Sequence, residues 1–104
     1  MEKIVEQGIL YDFYGELLTK RQRKLYEDAV YNDYSITEIA NEEGISRQSV
    51  FDLLKRVNQL LESYESKLHL VKKFHTIQQR VHEIRKITNQ DEVKELLNQI
   101  LEEL

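Results

Sequence analysis

Chemistry in this chain is concentrated where an apolar, helix-periodic run begins. Ser46, Arg47, Gln48 and Ser49 follow Gly44-Ile45 and open that run. Arginine matches the acceptor pair of a guanine edge in a DNA major groove, and glutamine the donor–acceptor pair of adenine. A serine at a helix start, beside N–H groups with no partner in the helix, suits a phosphate oxygen. Lys55 and Arg56 lie further along the same run. Arg21 and Arg23 belong to an upstream cluster, Lys20-Arg21-Gln22-Arg23-Lys24. Four cations near a helix start oppose its dipole, so a partner explains the cluster better than the fold does, a simple solvated face being the other reading.

Other chemistries fit poorly. His69, His75 and His82 are spaced by six and seven, not by the four that puts two zinc ligands one turn apart. Cysteine is absent, which removes disulfides and thiolate metal sites. Glu42-Glu43 and Glu102-Glu103 are neighbours whose side chains diverge on a helix, so neither is a general acid/base pair. With no Gly-rich phosphate loop and no Ser/His/Asp arrangement, neither a cofactor nor catalysis is expected. Tyr11, Phe13 and Tyr14 offer a stacking platform for RNA bases, although aromatics at helical spacing are more often core.

The net charge of −4 is unusual for a nucleic-acid binder, and its distribution matters more. A basic band, Lys67, Lys72, Lys73, Arg80, Arg85 and Lys86, faces only Glu83 and contains all three histidines. The segment after it is acidic, with Asp91, Glu92, Glu95, Glu102 and Glu103 against Lys94. From Lys20 to Arg56 seven basic residues meet seven acidic ones. A module of that balance binds duplex weakly on its own, because counterion release scales with the phosphates neutralised.

These residues must be held by helices. The 104 residues include no proline and only three glycines, too few turn formers for a many-stranded sheet. A first helix is predicted from Ile4 to Leu18, with Val5, Ile9, Phe13 and Leu17 on one face and Leu10, Tyr14 and Leu18 widening it. Thr19 caps a second helix, Lys20 to Asn32, with Leu25, Ala29 and Val30 inward. Ser35 and Glu38 fit a capping box for a short third helix. Ser46 caps a long fourth, whose seam Val50, Leu54, Val57, Leu61, Tyr64, Leu68 and Val71 steps by fours and threes in a heptad-like way. The phase slips beyond Val71, predicting a kink, or a break into a new helix, near residues 70–75. Thr88 and Asp91 read as a second capping box, ahead of a last helix carrying Val93, Leu96, Leu97, Ile100, Leu101 and Leu104.

The third and fourth helices make a helix-turn-helix. Ala40 is small enough for close crossing, Gly44 supplies the left-handed turn residue, Ile45 plugs the junction, and Val50 and Leu53 anchor the second helix. Leu18-Thr19-Lys20-Arg21-Gln22-Arg23, then Tyr34 to Ala40, then Gly44-Ile45-Ser46-Arg47 resemble region 4 of sigma factors over about residues 17–61. The whole chain resembles the YlxM family of small helix-turn-helix proteins more closely. That likeness rests on Leu10-Tyr11-Asp12-Phe13-Tyr14, Asn32-Asp33-Tyr34-Ser35, Ser46 to Asp52, Lys55-Arg56 and Leu60 to Glu65. Members are generally encoded beside the signal recognition particle GTPase, so the resemblance implies association with protein targeting.

The expected fold is therefore all-α: a sigma region 4-like helix-turn-helix bundle with a long helix, residues 1–66, and a helical C-terminal extension, residues 67–104, together one compact unit. Three functions fit it: an accessory of the signal recognition particle binding its RNA or its GTPase, a sequence-specific DNA regulator, and a protein-only adaptor. With no signal-like start and no membrane-length apolar stretch, a cytoplasmic protein is expected. The apolar surface of the C-terminal half predicts a homodimer through those helices.

Overall fold

A computed structural model describes residues 3–104, with side chains from residue 5 onward. It is built of helices throughout: α1 Lys3–Tyr14, α2 Lys20–Val30, α3 Ile36–Glu43, α4 Arg47–Leu68, α5 Leu70–Ile87 and α6 Asp91–Glu103. A 3-10 turn, Gly15–Leu17, closes α1. No strand occurs among the described residues. The chain divides into two compact units, one ending at Leu68 and one running from His69 to Leu104.

In the first unit α4 is the central post, contacted by α1, α2 and α3. Its buried side chains Val50, Val57 and Leu61 are wholly shielded from solvent, as are Leu25 of α2 and, nearly so, Ile39 of α3. Most of the predicted seam is therefore intramolecular core, and Leu68 at its end is exposed. Local caps fix the starts. Thr19 accepts from the Gln22 N–H at 3.1 Å while Gln22 Oε1 accepts from the Thr19 N–H at 3.0 Å, a complete capping box. Ser35 accepts from the Glu38 N–H at 3.1 Å, which realises the backbone half of the box expected there.

Several sequence expectations are corrected. The first helix stops at Tyr14, not Leu18, because Gly15 turns the chain into a 3-10 geometry; a Cβ on Gly15 would stand 3.1 Å from the Tyr11 ring. The inward face of this segment is Tyr14 and Leu18, whereas Val5, Phe13 and Leu17 of the proposed stripe are exposed. The row of fours was real, but the aromatic ring and the turn residue win the packing. The second helix ends at Val30, with Asp33 in the left-handed region at φ 56° just beyond it. The long helix breaks into a new one at His69, whose φ of 57° no α-helix tolerates, one residue before the window expected for a kink or break. Thr88 is not the cap of the last helix. It caps the end of α5 through its N–H to Ile84 O at 3.0 Å, its hydroxyl accepts from the Gln90 N–H at 3.3 Å, and α6 starts after Gln90 without a side-chain cap.

In the second unit α5 packs against α6, and three residues join them. So short a connection forces an antiparallel hairpin. Val81 and Leu97 are its buried side chains.

Candidate nucleic-acid interface

The helix-turn-helix is assembled from the turn outward. Gly44 stands at φ +68°, a conformation that costs an L-residue with a Cβ about 1–2 kcal/mol. The Gly44 and Ile45 N–H groups both donate to Ala40 O, the latter at 3.0 Å, which ends α3. Leu25, Ile39, Ala40 and Val50 make one buried cluster, and Ala29, Ile36, Ile45, Leu53 and Leu54 pack around it. Ala40 thus lies where α3 meets α4, and Val50 and Leu53 hold α4 from behind.

This leaves the first turn of α4 facing solvent: Ser46, Arg47, Gln48 and Ser49 are all exposed. Ser46 Oγ accepts from the Ser49 N–H at 3.0 Å and lies 2.8 Å from Ser49 Oγ. The Val50 N–H reaches Ser46 O at 3.2 Å. The N–H groups of Arg47 and Gln48 have no hydrogen-bond partner among the described residues. They form the open positive end of a 22-residue helix, the arrangement that attracts anions. Gln48 Nε2 donates to Asp52 Oδ1 at 2.9 Å, one turn on. That bond fixes the amide plane and leaves Oε1 and one amide hydrogen outward.

Two residues that sequence reasoning did not single out share this surface. Ile36 and Phe51 line a shallow hollow together with Arg47 and Gln48, and Phe51 is 51% exposed. The signal for Phe51 was present: it falls out of phase with Val50, Leu54, Val57 and Leu61, so an aromatic ring was placed on the solvent side of an amphipathic helix.

The upstream cations separate into two pairs. Lys24 Nζ lies 2.9 Å from Glu43 Oε1 and 3.7 Å from Asp28 Oδ2, and the bond to Glu43 raises its pKa further above the usual lysine range. Arg23 shares a depression with Asp12, Glu16 and Glu27. There Tyr11 Oη donates to Glu27 at 2.5 Å, and burial, then that bond, push the Tyr11 pKa up against the opposing effect of Arg23. Lys20 and Arg21 are exposed and, like Arg23, make no ion pair among the described residues, and the same holds for Arg47, Lys55 and Arg56; Lys20 shares a second hollow with Arg23, Lys24, Glu27 and Asp28. Lys24 is thus taken up by Asp28 and Glu43, and Glu27 accepts from Tyr11, while Lys20, Arg21, Arg47, Lys55 and Arg56 stand outside these pairs.

The aromatic residues at the chain start are structural. Tyr14 is buried and donates to Glu65. Tyr11 stacks on Tyr26 with ring centroids 5.1 Å apart. Of the three, Phe13 is the one at the surface. The basic band is placed differently: Lys67 ends α4, and Lys72, Lys73, Arg80, Arg85 and Lys86 are exposed along α5. His69, Lys72, Lys73, Thr76 and Ile77 line a hollow at its start. Among the described residues no cluster of His, Cys, Asp or Glu is placed to hold a metal ion, and no helix is long and apolar enough to cross a membrane.

An exposed helix start, anchored through a glycine turn on a short preceding helix, defines an all-α helix-turn-helix protein. Comparison with known proteins narrows the class. Residues 1–103 match the family UPF0122, described as "Putative helix-turn-helix protein, YlxM / p13 like", and the chain belongs to that family. It is 36% identical to a UPF0122 protein of Shouchella clausii over 104 residues, all of this chain and 95% of the relative. It is 39% identical to one from Bacillus thuringiensis over 103 residues, 98% of this chain and 94% of the relative. A protein of Caldanaerobacter subterraneus is 49% identical over 77 residues, 74% of this chain and 66% of the relative.

Proposed function

We propose that this protein is a non-enzymatic regulator that presents the first turn of α4 to the major groove of duplex DNA. The observation that carries the reading is the solvent-facing Ser46–Ser49 turn, with two unpartnered N–H groups, on a helix whose rear face is locked by Val50. Arg47 is assigned to guanine, and Gln48 to adenine with Asp52 holding its amide plane. Phe51 supplies apolar contact to a thymine methyl. Ser46, Ser49 and the open N–H groups meet phosphate, and Lys20, Arg21, Lys55 and Arg56 contribute backbone charge. Arg23 is assigned to the fold rather than to DNA, since it sits among carboxylates.

Gel shifts with a random duplex pool test this. Arg47→Ala should lower preference for the selected sequence by about 1–3 kcal/mol, whereas Arg21→Ala should weaken all sequences alike. Loss of neither property in either variant rejects the assignment.

A second reading has its own support. The exposed cations of α5 suit the backbone of a structured RNA, and the family resemblance implies an accessory of the signal recognition particle acting on its RNA or its GTPase. Binding of hairpin RNA, abolished by Lys73→Glu with Arg80→Glu and untouched by Arg47→Ala, would favour it. A chain that binds neither nucleic acid would leave a protein-only adaptor.

A further inference from the structure

The hairpin of α5 and α6 carries more apolar surface than it uses. Its buried side chains are Val81 and Leu97, while Leu70, Ile77, Ile84, Leu96, Ile100 and Leu104 are each between 41% and 58% exposed. At 3.6 residues per turn Leu70, Ile77 and Ile84 fall within about 40° of one another, in heptad register. They flank the Phe74–Val81 side that faces α6. On α6, Leu96, Ile100 and Leu104 flank Leu97 in the same rotational sense. Because the two helices are antiparallel, equal rotational offsets put both rows on one face of the hairpin.

Charge is divided just as sharply. α5 carries Lys72, Lys73, Arg80, Arg85 and Lys86 against Glu83, and α6 carries Asp91, Glu92, Glu95, Glu102 and Glu103 against Lys94. Within the hairpin a basic helix therefore lies beside an acidic one.

We propose that the occupant of this apolar face is the same face of a second copy, giving a two-fold four-helix bundle in which α5 of each chain lies over α6 of the other. Two two-fold arrangements bring the faces together. With the axis perpendicular to the helices, α5 meets α5 and cations oppose cations. With the axis parallel to the helices, every basic helix has only acidic neighbours and all contacts are antiparallel, as in up-and-down bundles. Charge complementarity selects the second. The face is about 25 Å long, from the rise of 1.5 Å per residue, and about 20 Å wide for two helices. That is roughly 1,000 Å² for both copies, the lower bound of a specific interface. Matching heights along the bundle sets Lys73, beside Ile77, near Glu103 of the second copy.

Sedimentation equilibrium of the full chain at about 10 μM tests the proposal. A mass twice 12.5 kDa is expected, and a single species of 12.5 kDa at that concentration overturns it. Ile77→Glu with Ile100→Glu should give a monomer of unchanged helicity; a dimer that persists places the interface elsewhere. If that variant fails to fold, surface charge reversal decides. Lys73→Glu should raise the dimer dissociation constant about ten-fold, and adding Glu103→Lys should restore it. Weakening without restoration rejects the crossed arrangement, and no weakening rejects the face.

Discussion

Gly44 has open space around the position a Cβ would take, with no atom within 4 Å. Substitution there meets no clash, only the strain of φ +68°. Gly44→Val should therefore cost about 1–2 kcal/mol in urea denaturation, with no change in cooperativity; a variant as stable as the parent would contradict the turn geometry. Tyr26 is the other informative residue. It is 1% exposed, and its hydroxyl has no hydrogen-bond partner among the described residues. Burial pushes its pKa up to about 12. Removing an unsatisfied buried hydroxyl favours the folded state, so Tyr26→Phe should be neutral or stabilising by about 1 kcal/mol. The sign with pH follows from the raised value. The unfolded tyrosine ionises near pH 10 while the folded one stays neutral to about 12, so its contribution is intact below pH 10 and fades as pH rises through that window. The loss amounts to about 2–3 kcal/mol. Chemical melts at pH 9, 10.5 and 12 should show that fall in the parent and a shallower one in Tyr26→Phe, in which Tyr11 and Tyr31, also raised by burial, still titrate.

At the level of elements, the caps and the glycine turn were legible because each is a local bargain between a side chain and two or three backbone groups. Thr19, Ser35, Gly44 and Ser46 announce themselves within four residues of sequence. The helix break at His69 was not so legible. Nothing in Lys67-Leu68-His69-Leu70 is a proline or glycine, and the phase slip marked only its neighbourhood. The inward face of the first segment was half legible: Tyr14 and Leu18 stood in the predicted stripe beside Val5, Ile9, Phe13 and Leu17, and only tertiary partners, Glu65 and Tyr64 for Tyr14, select between the rows. The pairing of Lys24 with Glu43, 19 residues away, is likewise invisible to a charge count along the chain. Two predictions belong here. Leu61→Ala, at a wholly buried position of α4, should cost about 2–5 kcal/mol, whereas Leu68→Ala, 45% exposed, should cost under about 1 kcal/mol in the same melts. His69→Gly should preserve stability or raise it by up to about 1 kcal/mol, since it relieves the left-handed strain; a lowered midpoint would mean the histidine side chain holds the break.

For the molecule as a whole, a net charge of −4 does not bar the proposed contact with nucleic acid, because Asp28 and Glu43 lie against Lys24 and Asp52 is held by Gln48. The field that remains is modest. On the proposed reading one copy brings Lys20, Arg21, Lys55 and Arg56 to phosphates, so the dependence of log affinity on log salt should be no steeper than about −4 per copy. The central claim, that the start of α4 reads duplex DNA, is tested most directly by fluorescence anisotropy. A selected duplex and its scrambled counterpart are titrated with the parent, Arg47→Ala and Arg21→Ala across a salt series. The parent should prefer the selected duplex, Arg47→Ala should bind both equally, and Arg21→Ala should keep the preference while its salt slope falls by about one. Equal binding of both duplexes by the parent, or no binding at the lowest salt, would contradict the claim.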